Sequence, residues 1–307
     1  MTYTLRPTKY CQWGSRQVGR RNPIALQYRK TQSFWRTDMT IQSLIEQIRN
    51  KASFLCVGLD SDLAKLPPAV RNHPEAQFAF NKAIIEATHD LVVAYKINTA
   101  FYESDGSKGY QALEKTIQYL DQNHPNHFTI ADAKRGDIGN TSTQYARAFF
   151  EKLPFDSVTV APYMGRDSIE PFLKFEGKYA FMLALTSNQG AYDFQTLNTV
   201  GRSLYETVVA TSRTWDGADR LMYVLGATKT EHLATIRALT PKSFFLVPGV
   251  GAQGGDLESV FHAAANDDIG LLVNSSRSII FASSEDDFAE AARNAAKDLQ
   301  QQMEKLF

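Results

Sequence analysis

The sequence predicts an α/β fold, a (β/α)8 TIM barrel, on three observations. Eight short β-rich runs alternate with longer amphipathic stretches, and such alternation implies parallel strands, because each return crossover is covered by its helix. Eight units of this kind fit into about 250 residues, the size at which such a barrel closes. The first run is not followed by a G-x-G-x-x-G turn, which weakens the open, dinucleotide-binding alternative.

The chain enters the fold through a helix predicted at 41–48, where Met39 and Thr40 open directly into an amphipathic run. The first strand follows at 54–59 and its helix at 76–90. Strands two and three fall at 92–97 and 128–133, with helices at 107–122 and 139–152. Strands four and five fall at 157–160 and 179–185, followed by helical patterns at 168–175 and 201–213. Strands at 221–225, 244–247 and 270–273 complete the set, with helices at 230–239, 256–265 and 286–304. Residues 189–200, after strand five, form the longest weakly structured connection, a length that loops reach when they act as lids or binding segments.

Composition narrows the function. With 43% hydrophobic residues and no apolar run long enough to cross a bilayer, membrane-spanning, collagen-like and fully disordered chains are excluded. The 33 basic and 33 acidic side chains cancel, which argues against an obligate nucleic-acid binder, but the cancellation is uneven. Residues 1–37 hold eight Lys and Arg and no Asp or Glu, leaving 25 basic against 33 acidic groups in the other 270 residues. The expectation is a basic extension over 1–38, in which Pro7, Gly14, Gly19 and Pro23 interrupt any helix, and a barrel domain over 39–307. Such an extension fits a translation start at Met39, a transit peptide or a polyanion-binding arm; the helix opening directly after Met39 favours the first. Cys11 and Cys56 have neither metal-ligand spacing nor the number for a disulfide framework, so a reducing, cytoplasmic setting is expected.

In a barrel of this kind chemistry sits at the C-terminal ends of the strands. Strand one ends in Gly58-Leu59-Asp60, strand two in Tyr95-Lys96-Ile97-Asn98 and strand three in Asp132-Ala133-Lys134-Arg135-Gly136-Asp137. Side chains alternate along a strand, so Asp132 and Lys134 are expected on one side, as are Lys96 and Asn98. A single Lys or Asp at a strand end is ordinarily a solvated loop residue or a surface ion pair. Several converging on one mouth mean more, because alternating charges are buried together where a reaction needs a preorganised field. Strand seven runs into Pro248-Gly249-Val250-Gly251-Ala252-Gln253-Gly254-Gly255-Asp256 and strand eight into Asn274-Ser275-Ser276-Arg277. A Gly-rich loop alone is as readily a flexible turn; with Arg277 one strand later, it reads as a phosphate cradle of backbone N–H groups and a guanidinium. Thr186-Ser187-Asn188-Gln189, after strand five, offers hydroxyls and amides suited to a heterocycle or carbonyl edge.

Asp132-Ala133-Lys134-Arg135-Gly136-Asp137-Ile138-Gly139-Asn140-Thr141 resembles the D-x-K-R-x-D-I-G-N-T motif of the orotidine 5′-phosphate decarboxylases. The resemblance spans residues 41–305 and takes in Gly58-Leu59-Asp60, Lys96-Ile97-Asn98, Pro248-Gly249-Val250-Gly251 and Arg277 in family order. The Ala-Phe-Tyr-Glu run after Lys96 is similar to the longer bacterial branch. The resemblance implies conversion of orotidine 5′-phosphate to UMP and CO2, the last step of UMP synthesis, with no cofactor and no metal. It implies a charged network of Lys96, Asp132, Lys134 and Asp137, with Lys134 as the proton donor. Asp60 and Lys96 would hold ribose hydroxyls with Asn98 nearby, Thr186 and Ser187 would face the pyrimidine, and Gln253 and Arg277 the phosphate. It further implies a homodimer in which Asp137 and Thr141 reach the neighbouring subunit's site, and neither a nucleic-acid nor a membrane partner. Binding of the phosphate would close the loop at 250–255. The basic extension is not part of the family pattern.

Two rivals differ at named positions. Related sugar-phosphate decarboxylases share a D-x-K-x-x-D strand but use Mg²⁺, held with the help of an acidic residue at strand two, where this chain has Lys96, which repels a cation. A non-catalytic nucleotide-binding barrel, or one whose tail binds RNA, has no need for every charged position to be filled.

Overall fold

The structure, a computed structural model, describes residues 39–199, 201–227, 230–250 and 256–307. Eight parallel strands close into a barrel: β1 Leu55–Gly58, β2 Ala94–Asn98, β3 Phe128–Arg135, β4 Ser157–Val160, β5 Tyr179–Leu185, β6 Leu221–Leu225, β7 Phe245–Pro248 and β8 Leu271–Ser275. The ring closes where Leu55, Cys56 and Val57 of β1 lie opposite Val273, Asn274 and Ser275 of β8. All eight predicted strands are present, three at the expected bounds and the other five with an end shifted by at most two residues. β1 and β6 are buried along their whole length, as parallel strands must be when helices cover one face and the barrel interior the other.

The longer helices are α1 Ile41–Lys51, α2 Ala76–Thr88, α3 Gly106–Asn123, α4 Gly139–Arg147, α5 Arg166–Leu173, α6 Leu204–Ser212, α7 Thr230–Leu239, α8 Leu257–Ala264 and α9 Phe288–Glu304. α1 begins where the Thr40 hydroxyl accepts the Ser43 amide at 3.0 Å, and it buries Leu44, Ile45 and Ile48 on one face. α6 starts with a reciprocal Ser203/Glu206 capping box, and Asp256 caps α8 by accepting the Ser259 amide at 2.8 Å.

Two elements depart from the sequence reading. The helix expected at 139–152 is α4 continued by a π-helical turn, Ala148–Lys152, in which the adjacent Phe149 and Phe150 are both buried. The connection at 189–200 is more structured than expected: Ala191–Phe194 forms a helical turn, and Asn198–Thr199 pairs antiparallel with Arg202–Ser203. Gly201, at φ +85°, makes that tight turn, and so the following helix starts at Leu204 rather than 201.

At the N-terminal end of the barrel, three polar side chains make closing contacts. Asp156 accepts the amide and hydroxyl of Thr129 at 2.8 and 2.7 Å. Lys51 donates to the carbonyls of His89 and Val92, both at 2.7 Å. Arg237 donates to the carbonyls of Ala264, Ser243 and Gly270 at 2.6, 2.6 and 3.0 Å. Such contacts tie helices and strand starts together at this end of the barrel.

Candidate active site

The C-terminal strand ends surround a cavity of about 340 Å³, large enough for a small organic ligand. Asp60, Lys96, Asn98, Asp132, Lys134 and Arg277 all line it, as do Thr186 and Ser187. Leu183 on β5, Val224 on β6 and Leu246 on β7 supply apolar wall.

The charged groups form one connected row. Lys96 Nζ lies 3.1 Å from Asp60 Oδ1 and 3.1 Å from Asp132 Oδ2. Asp132 Oδ1 accepts from Lys134 Nζ at 2.6 Å and from the Thr159 hydroxyl at 3.0 Å. The signs alternate along Asp60, Lys96, Asp132 and Lys134. Lys96 and Asp132 are buried, whereas the Lys134 side chain is 49% exposed. Burial pulls the Lys96 ammonium toward deprotonation, but Asp132 and Asp60 outweigh it and hold its pKa above the usual lysine value. Burial likewise pushes the Asp132 carboxyl up, and Lys96 and Lys134 overcome this to bring it down to about 2. Both groups are therefore ionised at neutral pH, and the field exists before any ligand arrives.

Asp60 is fixed from its other side by Ser276, whose hydroxyl donates to Oδ2 at 2.8 Å. Gly58 makes this approach possible. A Cβ at Gly58 would lie 1.8 Å from Ser276 Oγ, so any side chain there would displace that hydroxyl.

Asp132 and Lys134 meet, as strand alternation predicts, but by a different route. Ala131 pairs with Val158 and Arg135 with Val160, so β3 carries two more residues than β4 across this step. The excess is a bulge in which Lys134 takes φ +47°, a left-handed conformation costing a non-glycine residue about 1–2 kcal/mol. Strain of this kind persists where surrounding contacts over-determine the conformation. Here the Lys134 amide donates to Thr159 Oγ1 at 2.9 Å while its Nζ is held by Asp132.

The remaining predicted positions divide. Arg277 sits exposed at the cavity rim, at the start of the short turn Arg277–Ile280. The Thr186 hydroxyl donates to Asn188 Oδ1 at 2.6 Å and accepts from Gln195 Nε2 at 2.9 Å, so Gln195 orients it. Asp137 and Thr141 do not line the cavity of their own chain. Asp137 Oδ1 accepts the Ile138 amide at 2.7 Å, and Thr141 is exposed on α4. Within one chain the fourth member of the charged row is thus Asp60, not Asp137. Gln253, with the loop at 251–255, lies outside the described residues. Sequence reasoning missed Thr159, Ser276 and Gln195 as contacts of the site. Ser276 stood inside the run before Arg277, but uncharged Thr159 and Gln195 carry no mark of their own.

Among the described residues, no three His, Cys, Asp or Glu side chains are placed to hold a metal ion, and no helix is long and apolar enough to cross a membrane. Fold and site together define a (β/α)8-barrel enzyme whose electrostatic field is carried by its own side chains. A sequence model of the orotidine 5′-phosphate decarboxylase / HUMPS family matches residues 53–294. Orotidine 5′-phosphate decarboxylase of Flavobacterium johnsoniae is 62% identical over 268 residues, covering 87% of this chain and 98% of that protein. Its counterpart in Bacteroides fragilis is 55% identical over 266 residues, covering 86% and 97%. The solved structure of Leishmania donovani OMP decarboxylase aligns with a TM-score of 0.73 at 35% identity, covering 86% of this chain and 98% of that one. The chain belongs to the orotidine 5′-phosphate decarboxylase / HUMPS family and is a carboxy-lyase.

Proposed function

We propose that the protein decarboxylates orotidine 5′-phosphate to UMP and CO2, the last step of UMP synthesis, without a cofactor. The observation that carries this reading is the row Asp60, Lys96, Asp132, Lys134 at the cavity mouth. Breaking the bond between C6 and its carboxylate leaves an electron pair in an sp² orbital at C6, which the ring cannot delocalise. With no cofactor as electron sink, the protein must supply the stabilising charge. The Lys134 ammonium supports the pair at C6 and then transfers a proton to it, and solvent returns a proton to the amine. Asp132, held ionised, faces the departing carboxylate. Asp60 and Lys96 hold ribose hydroxyls with Asn98 beside them, Thr186 and Ser187 face the pyrimidine, and Arg277 with Gln253 takes the phosphate.

Purified protein is expected to consume the ultraviolet absorbance of orotidine 5′-phosphate at the same rate with and without EDTA. Activity abolished by EDTA would return the reading to a Mg²⁺-dependent sugar-phosphate decarboxylase, and no turnover at all would return it to a nucleotide-binding barrel.

The proposal extends to a homodimer in which Asp137 and Thr141 complete the partner's site. Both stand outside their own cavity, and Ile138, Tyr145, Tyr163 and Met164, on and after the same two strand ends, expose apolar side chains that an interface would cover. Mixed Lys134→Ala and Asp137→Ala subunits, each inactive alone, should then recover about a quarter of parent activity, because half the randomly mixed dimers carry one intact site. Absence of recovery would place Asp137 in the service of its own chain.

A further inference from the structure

We infer that Thr159 is a positioning residue that sets the Asp132–Lys134 pair by bridging the bulge in β3; this rests on the reading of Lys134 as proton donor. Thr159 lies on β4 between Val158 and Val160, the two residues whose partners on β3 are Ala131 and Arg135. It therefore faces the whole bulged segment, where a bulge leaves backbone groups without their regular ladder partners.

One hydroxyl serves both ends of the pair. Its oxygen accepts the Lys134 amide at 2.9 Å, and its proton is then directed to Asp132 Oδ1 at 3.0 Å. That same carboxylate oxygen receives Lys134 Nζ at 2.6 Å. Lys134 has a long, flexible side chain that is half exposed, so packing alone does not fix its ammonium. Instead Thr159 ties down its backbone, at φ +47°, and also the oxygen on which its Nζ rests. Thr159 is 1% exposed although it borders the cavity, so its hydroxyl is spent on these two protein partners rather than on bulk water.

Valine keeps the shape of Thr159 and removes the oxygen, whereas serine keeps the oxygen and removes the methyl group. Thr159→Val is expected to lower kcat on orotidine 5′-phosphate about 100-fold with KM changed less than about threefold, since a misplaced reacting group costs rate and the remote grips are untouched. Thr159→Ser should hold kcat within about fivefold of the parent, because the bridging hydroxyl remains. Thermal stabilisation by UMP, retained in Thr159→Val, would show that its site is assembled. The inference is overturned if Val keeps the parent kcat, if Val and Ser fall together, or if Val loses UMP stabilisation along with activity. The underlying reading fails separately, through a parent protein that releases no CO2 from orotidine 5′-phosphate or a Lys134→Ala variant that turns over normally.

Discussion

Lys134→Ala is expected to lower kcat for CO2 release by at least about 10⁴-fold while UMP still binds, because in the proposed reaction one ammonium both stabilises the developing charge and delivers the proton. The rest of the site should survive the substitution. Asp132 keeps Lys96 at 3.1 Å and Thr159 at 3.0 Å, and Asp60 keeps Lys96 and Ser276, so the row shortens by one member without coming apart. Single-turnover assays of CO2 release, paired with calorimetric titration of UMP, separate the two effects. Unchanged CO2 release would sink the assignment of Lys134. Arg277→Ala should show the opposite signature, because in the proposed function its guanidinium at the cavity rim holds the phosphate rather than the reacting atoms. Its loss should fall mainly on apparent affinity, and a normal saturation curve would remove Arg277 from the phosphate site.

These two residues were legible in the sequence for different reasons. Lys134 stands in a charged strand end whose residue types are costly to bury unless paired, while Arg277 follows a strand at the position where barrels gather phosphate. The strands themselves were legible because parallel strands buried on both faces must be short and apolar, and helices cannot fill the gaps without amphipathic periodicity. What escaped depends on register. Ser276 reaches Asp60 across 216 residues, and Thr159 reaches Asp132 only because two extra residues bulge from β3. Strand alternation reached the right Asp132–Lys134 contact while assuming a regular strand, which the positive φ of Lys134 replaces. The hairpin at 198–203 escaped because two-residue strands have no periodicity to detect, and the role of Asp137 cannot be read from one chain's cavity if it belongs to another's.

Asp132→Asn tests the field itself, because it changes one charge and almost no shape. The substitution leaves two ammonium groups, Lys96 and Lys134, without the carboxylate between them; breaking a buried ion pair costs about 3–5 kcal/mol, and the cost here is smaller because Lys96 keeps Asp60 and Lys134 is half exposed to solvent. We expect kcat to fall by about 10³-fold or more, as when preorganised charge is removed from a site. If Asp132 also repels the substrate carboxylate in the ground state, the apparent affinity for orotidine 5′-phosphate should rise in the variant while that for UMP, which lacks the carboxylate, should not. Equal weakening of both ligands would instead leave Asp132 only the task of holding the ammonium groups. The stability profile follows from the same carboxylate. Its folded pKa of about 2 lies below the ordinary 3.8, so its stabilising contribution is present above pH 3.8 and lost as pH falls through about 2. Asp132→Asn should therefore be less stable than the parent at pH 7 but lose less stability between pH 4 and 2, measured by denaturant unfolding at each pH. Parallel acid limbs for the two proteins would mean that the Asp132 carboxylate is not held ionised by its two lysines.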